Sequence, residues 1–196
     1  MTISLELIKP TDAFTKKYVS MFKAFRKTYE GTTRTESQST KELLKLARED
    51  IENKYIYWIK EDRRIIGFAL APITWDHCGK ITGRFLDTRY ILESHRGKGI
   101  GSVVLDILVD QLGVHSVKIN SKHLEETGHY WGNKGFRYAV PACAIDKNFS
   151  IERNRELFNK DYLHWYIIHE NDKAVVVLIE EGLPMLDLKE QKKINF

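Results

Sequence analysis

The sequence contains little cysteine, little proline and no long hydrophobic run. Its two cysteines, Cys78 and Cys143, lie far apart and outside any Cys-x-x-Cys or Cys/His spacing, so we expect neither a disulfide framework nor a metal site. The longest purely apolar run covers residues 174–179, whereas a membrane-spanning helix needs about 20 such residues. The chain is therefore predicted to function without a metal and without a transmembrane helix.

The remaining composition is that of a folded protein. Of the 196 residues, 42% are hydrophobic and 30% are charged, a mixture that supports a packed core and argues against disorder. The N-terminal residues lack the basic start and the small-residue cleavage site of a secretory signal, so we expect a cytoplasmic location. The net charge of +4 favours anionic partners only mildly, because the lysines and arginines are scattered along the chain.

The first part of the chain predicts two helices ahead of a sheet. Aromatic side chains recur at helical spacing between residues 14 and 29, and Thr11 or Asp12 can cap that helix. Ser39 and Glu42 have the spacing of a capping box, which predicts the start of a second helix. No strand is expected before these helices.

The middle of the chain changes from strand patterns to a helical one. Residues 55–60 and 65–71 are rich in β-branched and aromatic side chains and flank a charged turn, which predicts an antiparallel hairpin. Residues 81–92 predict one long strand, and a helix then follows that ends at Gly113. The apolar stripe predicted for that helix consists of Ile100, Val103, Val104, Ile107, Leu108 and Leu112.

The last part of the chain continues the alternation of strands and helices. The predicted segments are a strand over 114–120, a helix over 122–133 and a strand over 137–144. Residues 165–168 are predicted to pair with residues 174–179 across a polar turn. We expect one domain over residues 1–146 and a C-terminal extension over 147–196, packed on the same domain and ending in a mobile tail.

The segment Arg96-Gly-Lys-Gly-Ile-Gly101 is the strongest functional signal. It lies between a predicted strand and an amphipathic helix, where backbone N–H groups converge at the positive end of the helix and can bind an anion. Glycine lets the backbone approach a phosphate closely, and Arg96 and Lys98 add positive charge. A tight turn with solvated basic residues is the alternative. A Walker A loop is excluded by its missing pattern, and Ser102 replaces the third glycine of a dinucleotide fingerprint.

This turn resembles the Arg/Gln-x-x-Gly-x-Gly/Ala signature of the GNAT superfamily of acyl-CoA-dependent N-acetyltransferases. The resemblance covers about residues 55–145 and includes the later segment Tyr130-Trp-Gly-Asn-Lys-Gly-Phe136, which is similar to the family's second motif. It implies a mixed α/β fold, in which helices flank a central, mostly antiparallel sheet with a splayed strand pair at the CoA site.

The resemblance also implies a site for acetyl-CoA as cosubstrate. The backbone of Ile91 would contact the thioester end, and the turn would hold the pyrophosphate. The turn residues implied are Arg96, Gly97, Lys98, Gly99, Ile100, Gly101 and Ser102. The acceptor would be a primary amine on a small molecule or a macromolecule. Nucleic acid stays an option, a membrane is not expected, and a homodimer is left open.

The catalytic residues implied by the family are a strand carboxylate as general base and a tyrosine as general acid. Asp87 is the candidate base, because it lies four residues before Ile91 and on the same side of an ideal pleat. A bulge would reverse that inference, and a surface salt bridge is the competing role. Trp131 occupies the family's tyrosine position, so Tyr130 is the candidate acid, with a packed aromatic as its alternative.

Other departures from the family pattern leave a second function open. Leu124 stands where the family often has asparagine, and His95 has no orienting partner that the sequence identifies. The leaving thiolate can also take its proton from water or another group. The alternative to an acetyltransferase is a noncatalytic module that binds acyl-CoA or another protein.

Overall fold

The computed structural model describes residues 2–29, 39–75, 81–141, 164–169 and 186–187. The chain forms two compact units, Met1–Gly113 and Val114–Phe196. Among the described residues, no helix has both the length and the apolar character needed to cross a membrane. The expected strand end after residue 141 and residues 174–179 lie outside the described residues.

The first unit is built on a four-stranded antiparallel sheet with strand order β1-β2-β3-β6. Strands β4 and β5 pair with each other in antiparallel orientation and do not belong to this four-stranded sheet. The elements of this unit are β1 (Ile3–Leu7), α1 (Asp12–Tyr29), α2 (Thr40–Glu52), β2 (Ile56–Glu61), β3 (Arg64–Leu70), β4 (Ile73–Trp75), β5 (Ile81–Leu86), β6 (Thr88–Ile91) and α3 (Ile100–Leu112).

The first two helices begin where their capping residues predict. The N–H of Phe14 donates to the hydroxyl of Thr11 at 3.3 Å, so Thr11 caps α1. At α2 the N–H of Glu42 donates to the Ser39 hydroxyl at 3.2 Å, and the Ser39 N–H donates to the Glu42 carboxylate at 2.7 Å. The capping box is therefore confirmed.

The expectation that no strand precedes the helices is wrong, because β1 does. β1 pairs with β2 from Ile3 opposite Glu61 to Leu7 opposite Tyr57, which places it at an edge of the sheet. Its partner lies more than fifty residues away in the chain, so local patterning gave no sign of the pairing. The hairpin predicted next is confirmed as β2 and β3.

The long strand predicted over residues 81–92 is interrupted at Asp87. β5 ends at Leu86 and pairs with β4, whereas β6 starts at Thr88 and pairs with β3. The N–H of Asp87 donates to the carbonyl of Leu70 at 3.0 Å. The change of pairing partner means that the ideal pleat expected from Asp87 to Ile91 does not exist.

Helix α3 buries a slightly different face from the predicted stripe. Val103 is 43% exposed, and Leu105 is buried in its stead. The helix ends at Gly113, whose φ of 64° gives the left-handed cap that the sequence predicted. The buried residues of α3 are Ile100, Val104, Leu105 and Leu108.

The second unit has the strand order β10-β8-β9-β7, and all its neighbouring strands are antiparallel. β7 and β8 are therefore parallel to each other, with α4 connecting them in sequence and β9 between them. The predicted partner of residues 165–168 is outside the described residues, and β9 pairs with β7 and β8. The elements are β7 (Val114–Asn120), α4 (Ser121–Asn133), β8 (Phe136–Pro141), β9 (His164–His169) and β10 (Leu186–Asp187).

Candidate active site at the glycine-rich turn

The glycine-rich turn connects β6 to α3 in a conformation that requires glycine. Gly97 and Gly99 have φ angles of 75° and 73°, in the left-handed region that other residues rarely adopt, and Gly99 is the N-cap of α3. A Cβ placed on either glycine would meet no atom of the described residues within 4 Å, so these residues leave the space at the turn open. The turn therefore leaves room for a ligand against its backbone.

The first turn of α3 offers backbone N–H groups to that space. Gly99 has no side chain with which to cap the helix, and the N–H groups of Ser102 and Val103 donate to the Gly99 carbonyl at 3.0 and 3.3 Å. Ile100 and Gly101 precede these residues, so their N–H groups have no acceptor within the helix. This arrangement is suited to an anion. Since the Ser102 N–H is used inside the helix, only the hydroxyl of Ser102 would contact a phosphate.

The side chain of Arg96 folds back onto β6. Its Nε donates to the carbonyl of Ile91 at 2.9 Å, and its guanidinium lies over the Tyr90 ring at 5.5 Å from the centroid. These contacts hold a positive charge beside the turn. Arg96 and Lys98 are both exposed, as expected for residues that contact a phosphate from solution.

The main chain of Ile91 faces the open edge of the sheet. β6 is the last strand of the order β1-β2-β3-β6. Ile91 lies opposite Gly67, and the N–H of the next residue, Leu92, donates to the Ile66 carbonyl at 2.8 Å. This pattern marks a non-hydrogen-bonded pair, whose own N–H and carbonyl point away from the neighbouring strand. The Ile91 carbonyl accepts the hydrogen bond from Arg96, and the N–H of Ile91 points to the same open edge.

Gly67 is required for β3 and β6 to approach each other. A Cβ on Gly67 would lie 2.1 Å from the carbonyl oxygen of Tyr90, a distance that would force the strands apart. The register of β3 against β2 also shifts between Ile59 and Lys60, which marks a bulge next to this position. The close approach fixes the strand that carries Ile91.

Two further contacts, which sequence reasoning missed, fix the turn. Arg89 donates from Nη1 to the Gly101 carbonyl at 2.7 Å and so ties β6 to α3. The Nδ1 of His95 lies 3.0 Å from a carboxylate oxygen of Glu61, with both side chains mostly buried. The sequence identified no partner for His95, and the structure places the Glu61 carboxylate beside it, in a geometry that is not a hydrogen bond among the described residues. In both contacts the two residues are not neighbours in the sequence, so no local pattern predicted either contact.

Asp87 belongs to an acidic group in the first unit. The Thr88 hydroxyl donates to the Asp87 carboxylate at 3.1 Å. Burial first, and then the negative charges of Asp87 and Glu49, together raise the pKa of the Asp50 carboxyl on α2 to about 6. Burial, with smaller contributions from Asp50 and Asp87, also raises the pKa of the Tyr18 hydroxyl on α1. Asp87 stays a candidate base, and Asp50 is the carboxylate beside it that the sequence analysis missed.

Trp131 is a packing residue of the second unit. It is 7% exposed, its indole N–H donates to the Thr127 hydroxyl at 3.0 Å, and its ring meets Phe136 edge-on at 5.6 Å. Tyr130 is half-buried and its ring lies 5.1 Å from that of Trp131. Leu124 is fully buried on the same helix. Tyr130 is therefore the accessible member of the pair, and its role as an acid stays a prediction.

Comparison with known families identifies the fold and the class of protein. A family model described as the acetyltransferase (GNAT) family matches residues 18–124, which is more than half of the chain. The chain therefore belongs to the GNAT acetyltransferase family. The match includes β6, the glycine-rich turn and α3. No match is found among curated proteins.

Solved structures confirm the mixed α/β fold. An acetyltransferase from Thermus thermophilus has a TM-score of 0.55 at 16% identity, covering 86% of this chain and 97% of that one. N-acetylglutamate synthase from Neisseria gonorrhoeae, complexed with coenzyme A and N-acetyl-glutamate, has a TM-score of 0.51 at 14% identity. The alignment covers 86% of this chain but only 35% of the synthase, so this chain spans about a third of its length.

Proposed function

We propose that the chain transfers an acetyl group from acetyl-CoA to a primary amine. The observation that carries this proposal is the left-handed turn at Gly97 and Gly99, which presents the N-terminus of α3 to open space beside the free edge of β6. Membership of the GNAT acetyltransferase family supports the same chemistry. The proposal includes the cytoplasmic location, which stays a prediction.

The residues of the turn fit a pyrophosphate. The N–H groups of Ile100 and Gly101 point from the positive end of α3, and the charges of Arg96 and Lys98 lie beside them. The outward N–H of Ile91 can donate to the arm or the thioester of the cosubstrate in the manner of an added strand. Acetyl-CoA, when bound, supplies an activated acetyl thioester.

The transfer needs a proton acceptor and a proton donor from the chain. A bond forms between the amine nitrogen and the acetyl carbon as the carbon–sulfur bond breaks. In this proposal the Asp87 carboxylate accepts the proton that the amine loses, and Tyr130 donates a proton to the departing sulfur. The Ile91 N–H stabilises the negative charge that develops on the acetyl oxygen.

A noncatalytic acyl-CoA-binding module is the second candidate. The observation in its favour is Trp131, which is buried and bonded to Thr127 at the position where the family places its acid. Such a module would use the same turn to bind the cosubstrate. It would differ in releasing no CoA in the presence of any amine.

Calorimetry with acetyl-CoA followed by a CoA-release assay over a panel of amines separates these proposals. An acetyltransferase binds acetyl-CoA and releases CoA with at least one amine, whereas a dinucleotide such as NADH should not bind. Lack of acetyl-CoA binding overturns both proposals. Binding without release across amines with cationic, neutral and acidic bodies favours the noncatalytic module.

A further inference from the structure

His95 and Glu61 form a pair that joins the start of the glycine-rich turn to the sheet. His95 ends a short 3-10 helix, Glu93–His95, which leads from β6 into the turn, and Glu61 is the last residue of β2. The His95 Nδ1 lies 3.0 Å from a Glu61 carboxylate oxygen, and the two side chains are 12% and 20% exposed. Both groups are therefore largely removed from water, where a charge needs a partner of opposite sign.

The described residues leave the charge of Glu61 to His95. None of their other basic side chains lies within ion-pair distance of Glu61. The Nδ1 of His95 is buried and makes no hydrogen bond with any of them. Attraction between an imidazolium and a carboxylate at this distance does not require hydrogen-bond geometry. A protonated His95 ring therefore neutralises the Glu61 carboxylate.

The remaining charges around the pair are exposed or already paired. Glu6 on β1 forms its ion pair with Lys60, and α3 carries its first charged residue, Asp106, at an exposed position. Exposed charges interact weakly in water, so the charge on the His95 ring has the largest effect on Glu61. The other charged residues of the adjoining segments are all exposed, namely Asp62, Arg63, Arg64, Glu93, Arg96 and Lys98.

The pair is one of three side-chain contacts that hold the turn. The other two come from arginines: Arg96 donates to the Ile91 carbonyl, and Arg89 donates to the Gly101 carbonyl. A guanidinium keeps its charge in proteins, whereas histidine ordinarily changes its charge between a pH of about 5 and 8. Of these three contacts, only the pair therefore depends on pH in this range.

We propose that His95 is a positioning residue: its protonated ring, paired with Glu61, holds the turn in the conformation proposed for phosphate binding, so acetyl-CoA binds more weakly as the ring loses its proton. This inference rests on the proposed acetyltransferase function. The left-handed residues Gly97 and Gly99 follow His95 by two and four positions. With a neutral ring the carboxylate has no cation beside it and is stabilised by moving toward water, which releases the start of the turn.

The sign of one effect separates positioning from a simple attraction of phosphates by charge. If His95 only added positive charge near the cosubstrate, Glu61→Gln would remove a negative charge and strengthen acetyl-CoA binding. If the pair holds the turn, Glu61→Gln should weaken binding by at least about fivefold at a pH of about 5.5. Glu93→Gln, which removes an exposed negative charge from the same 3-10 helix, is the matched control and should not weaken binding. Unchanged or tighter binding by folded Glu61→Gln in calorimetry overturns the inference.

Variants of His95 test the pH dependence. His95→Gln should bind acetyl-CoA at least about fivefold more weakly than the wild type at a pH of about 5.5, and within about twofold of it at a pH of about 8.5. His95→Lys keeps a cation at both pH values and should bind more tightly than the wild type at the higher one. His129→Gln, at an exposed position of α4, should match the wild type throughout.

Comparison of variants at the same pH removes the contribution of the cosubstrate, whose phosphate monoester itself titrates near a pH of about 6. An affinity ratio between wild type and His95→Gln that is the same at both pH values would contradict the inference.

Nuclear magnetic resonance of the full chain gives a measurement without cosubstrate. The amide resonances of Gly97 and Gly99 should shift with the same pH midpoint as the His95 ring, and Glu61→Gln should reduce the size of these shifts. If acetyl-CoA fails to bind the wild type at any pH but these shifts appear, the proposed transfer fails and the control of the turn by the pair stands. If acetyl-CoA binds and amines are acetylated but the glycine resonances do not follow the ring, the positioning role fails alone.

Discussion

Arg89 on β6 donates a hydrogen bond of 2.7 Å to the carbonyl of Gly101 in the first turn of α3. The guanidinium also lies 3.6 Å from the position that a Cβ of Gly101 would occupy, so the helix start rests against it. Strand β6 and the first turn of α3, which the proposed site assigns to the cosubstrate, are thus joined by a side chain. The geometry of the turn depends on this contact as well as on its glycines.

Removing the Arg89 side chain should loosen the turn. Arg89→Ala is expected to lower the free energy of unfolding by about 1–2 kcal/mol, since it removes a charge-assisted hydrogen bond that is partly buried. It should also weaken acetyl-CoA binding. Urea denaturation and calorimetry measure the two effects. Arg63→Ala, at an exposed position between β2 and β3, is the control and should change neither.

A negative charge on the turn should abolish cosubstrate binding. Gly99→Glu places a carboxylate where the α3 N-terminus would meet a phosphate, and it forces a non-glycine residue into a φ of 73°. Gly99→Asn is the matched control, because asparagine tolerates this conformation and adds no charge. Its affinity should fall by no more than about tenfold, or about 1.4 kcal/mol. Unchanged acetyl-CoA affinity in folded Gly99→Glu would remove the turn from the site.

Arg96 should contribute to acetyl-CoA binding in two ways, through its charge and through its hydrogen bond to Ile91. Arg96→Ala is expected to weaken acetyl-CoA binding, and more strongly at low salt than at about 1 M, where the screening length is about 3 Å. Arg96→Lys keeps the charge but loses the Nε contact with Ile91, so it should retain most of the salt dependence. A loss that is the same at every salt concentration would mean that Arg96 acts by holding the turn together.

Tyr130 is expected to act on turnover and Trp131 on stability. Tyr130→Phe should lower kcat by about 100-fold or more and leave acetyl-CoA affinity nearly intact, because only the hydroxyl is lost. Trp131→Phe should lower the free energy of unfolding by about 1–3 kcal/mol, since it removes buried contacts and the bond to Thr127. Full activity of Tyr130→Phe with an unchanged pH–rate profile would assign the thiolate's proton to water or another group.

Asp50 gives the stability of the protein a pH dependence of defined sign. The pKa of its carboxyl is raised from 3.8 to about 6 in the folded chain, by burial first and then by Asp87 and Glu49. The fold therefore holds the proton more tightly than the unfolded chain does. The contribution of the protonated Asp50 carboxyl to the free energy of unfolding is fully present below a pH of about 4. It is lost as the pH rises through about 6.

Asp50→Asn should remove the loss of stability that accompanies ionisation of the Asp50 carboxyl. At a pH of about 7 the variant should be more stable than the wild type by about 1 kcal/mol, a value reduced for the solvent screening of a partly exposed carboxyl. At a pH of about 4 the two should agree. Urea denaturation at both pH values tests this, with Glu52→Gln as the control for the change of charge. A variant less stable than the wild type at neutral pH would show that a cation such as Arg26 stabilises the ionised carboxyl.

Local features of the fold were predictable from the sequence. The Ser39 and Glu42 capping box, the hairpin of β2 and β3, the Gly113 cap and the glycine-dependent turn before α3 were all predicted and appear in the structure. Each depends on residues within a few positions of one another. Their conformations follow from capping bonds, side-chain periodicity and the φ angles that glycine permits.

Tertiary structure decided the features that join distant parts of the chain. The break of the predicted long strand at Asp87 follows from β5 and β6 having different partners, which a strand pattern does not encode. The bond from Arg89 to Gly101, the contact of His95 with Glu61 and the insertion of β9 between β7 and β8 have the same origin. The glycines that shape the turn before α3 could therefore be recognised from the sequence. The cavity at Asp50 exists only because folding brings α1, α2 and β3 together, where burial raises the pKa of a carboxyl that looks ordinary in the sequence.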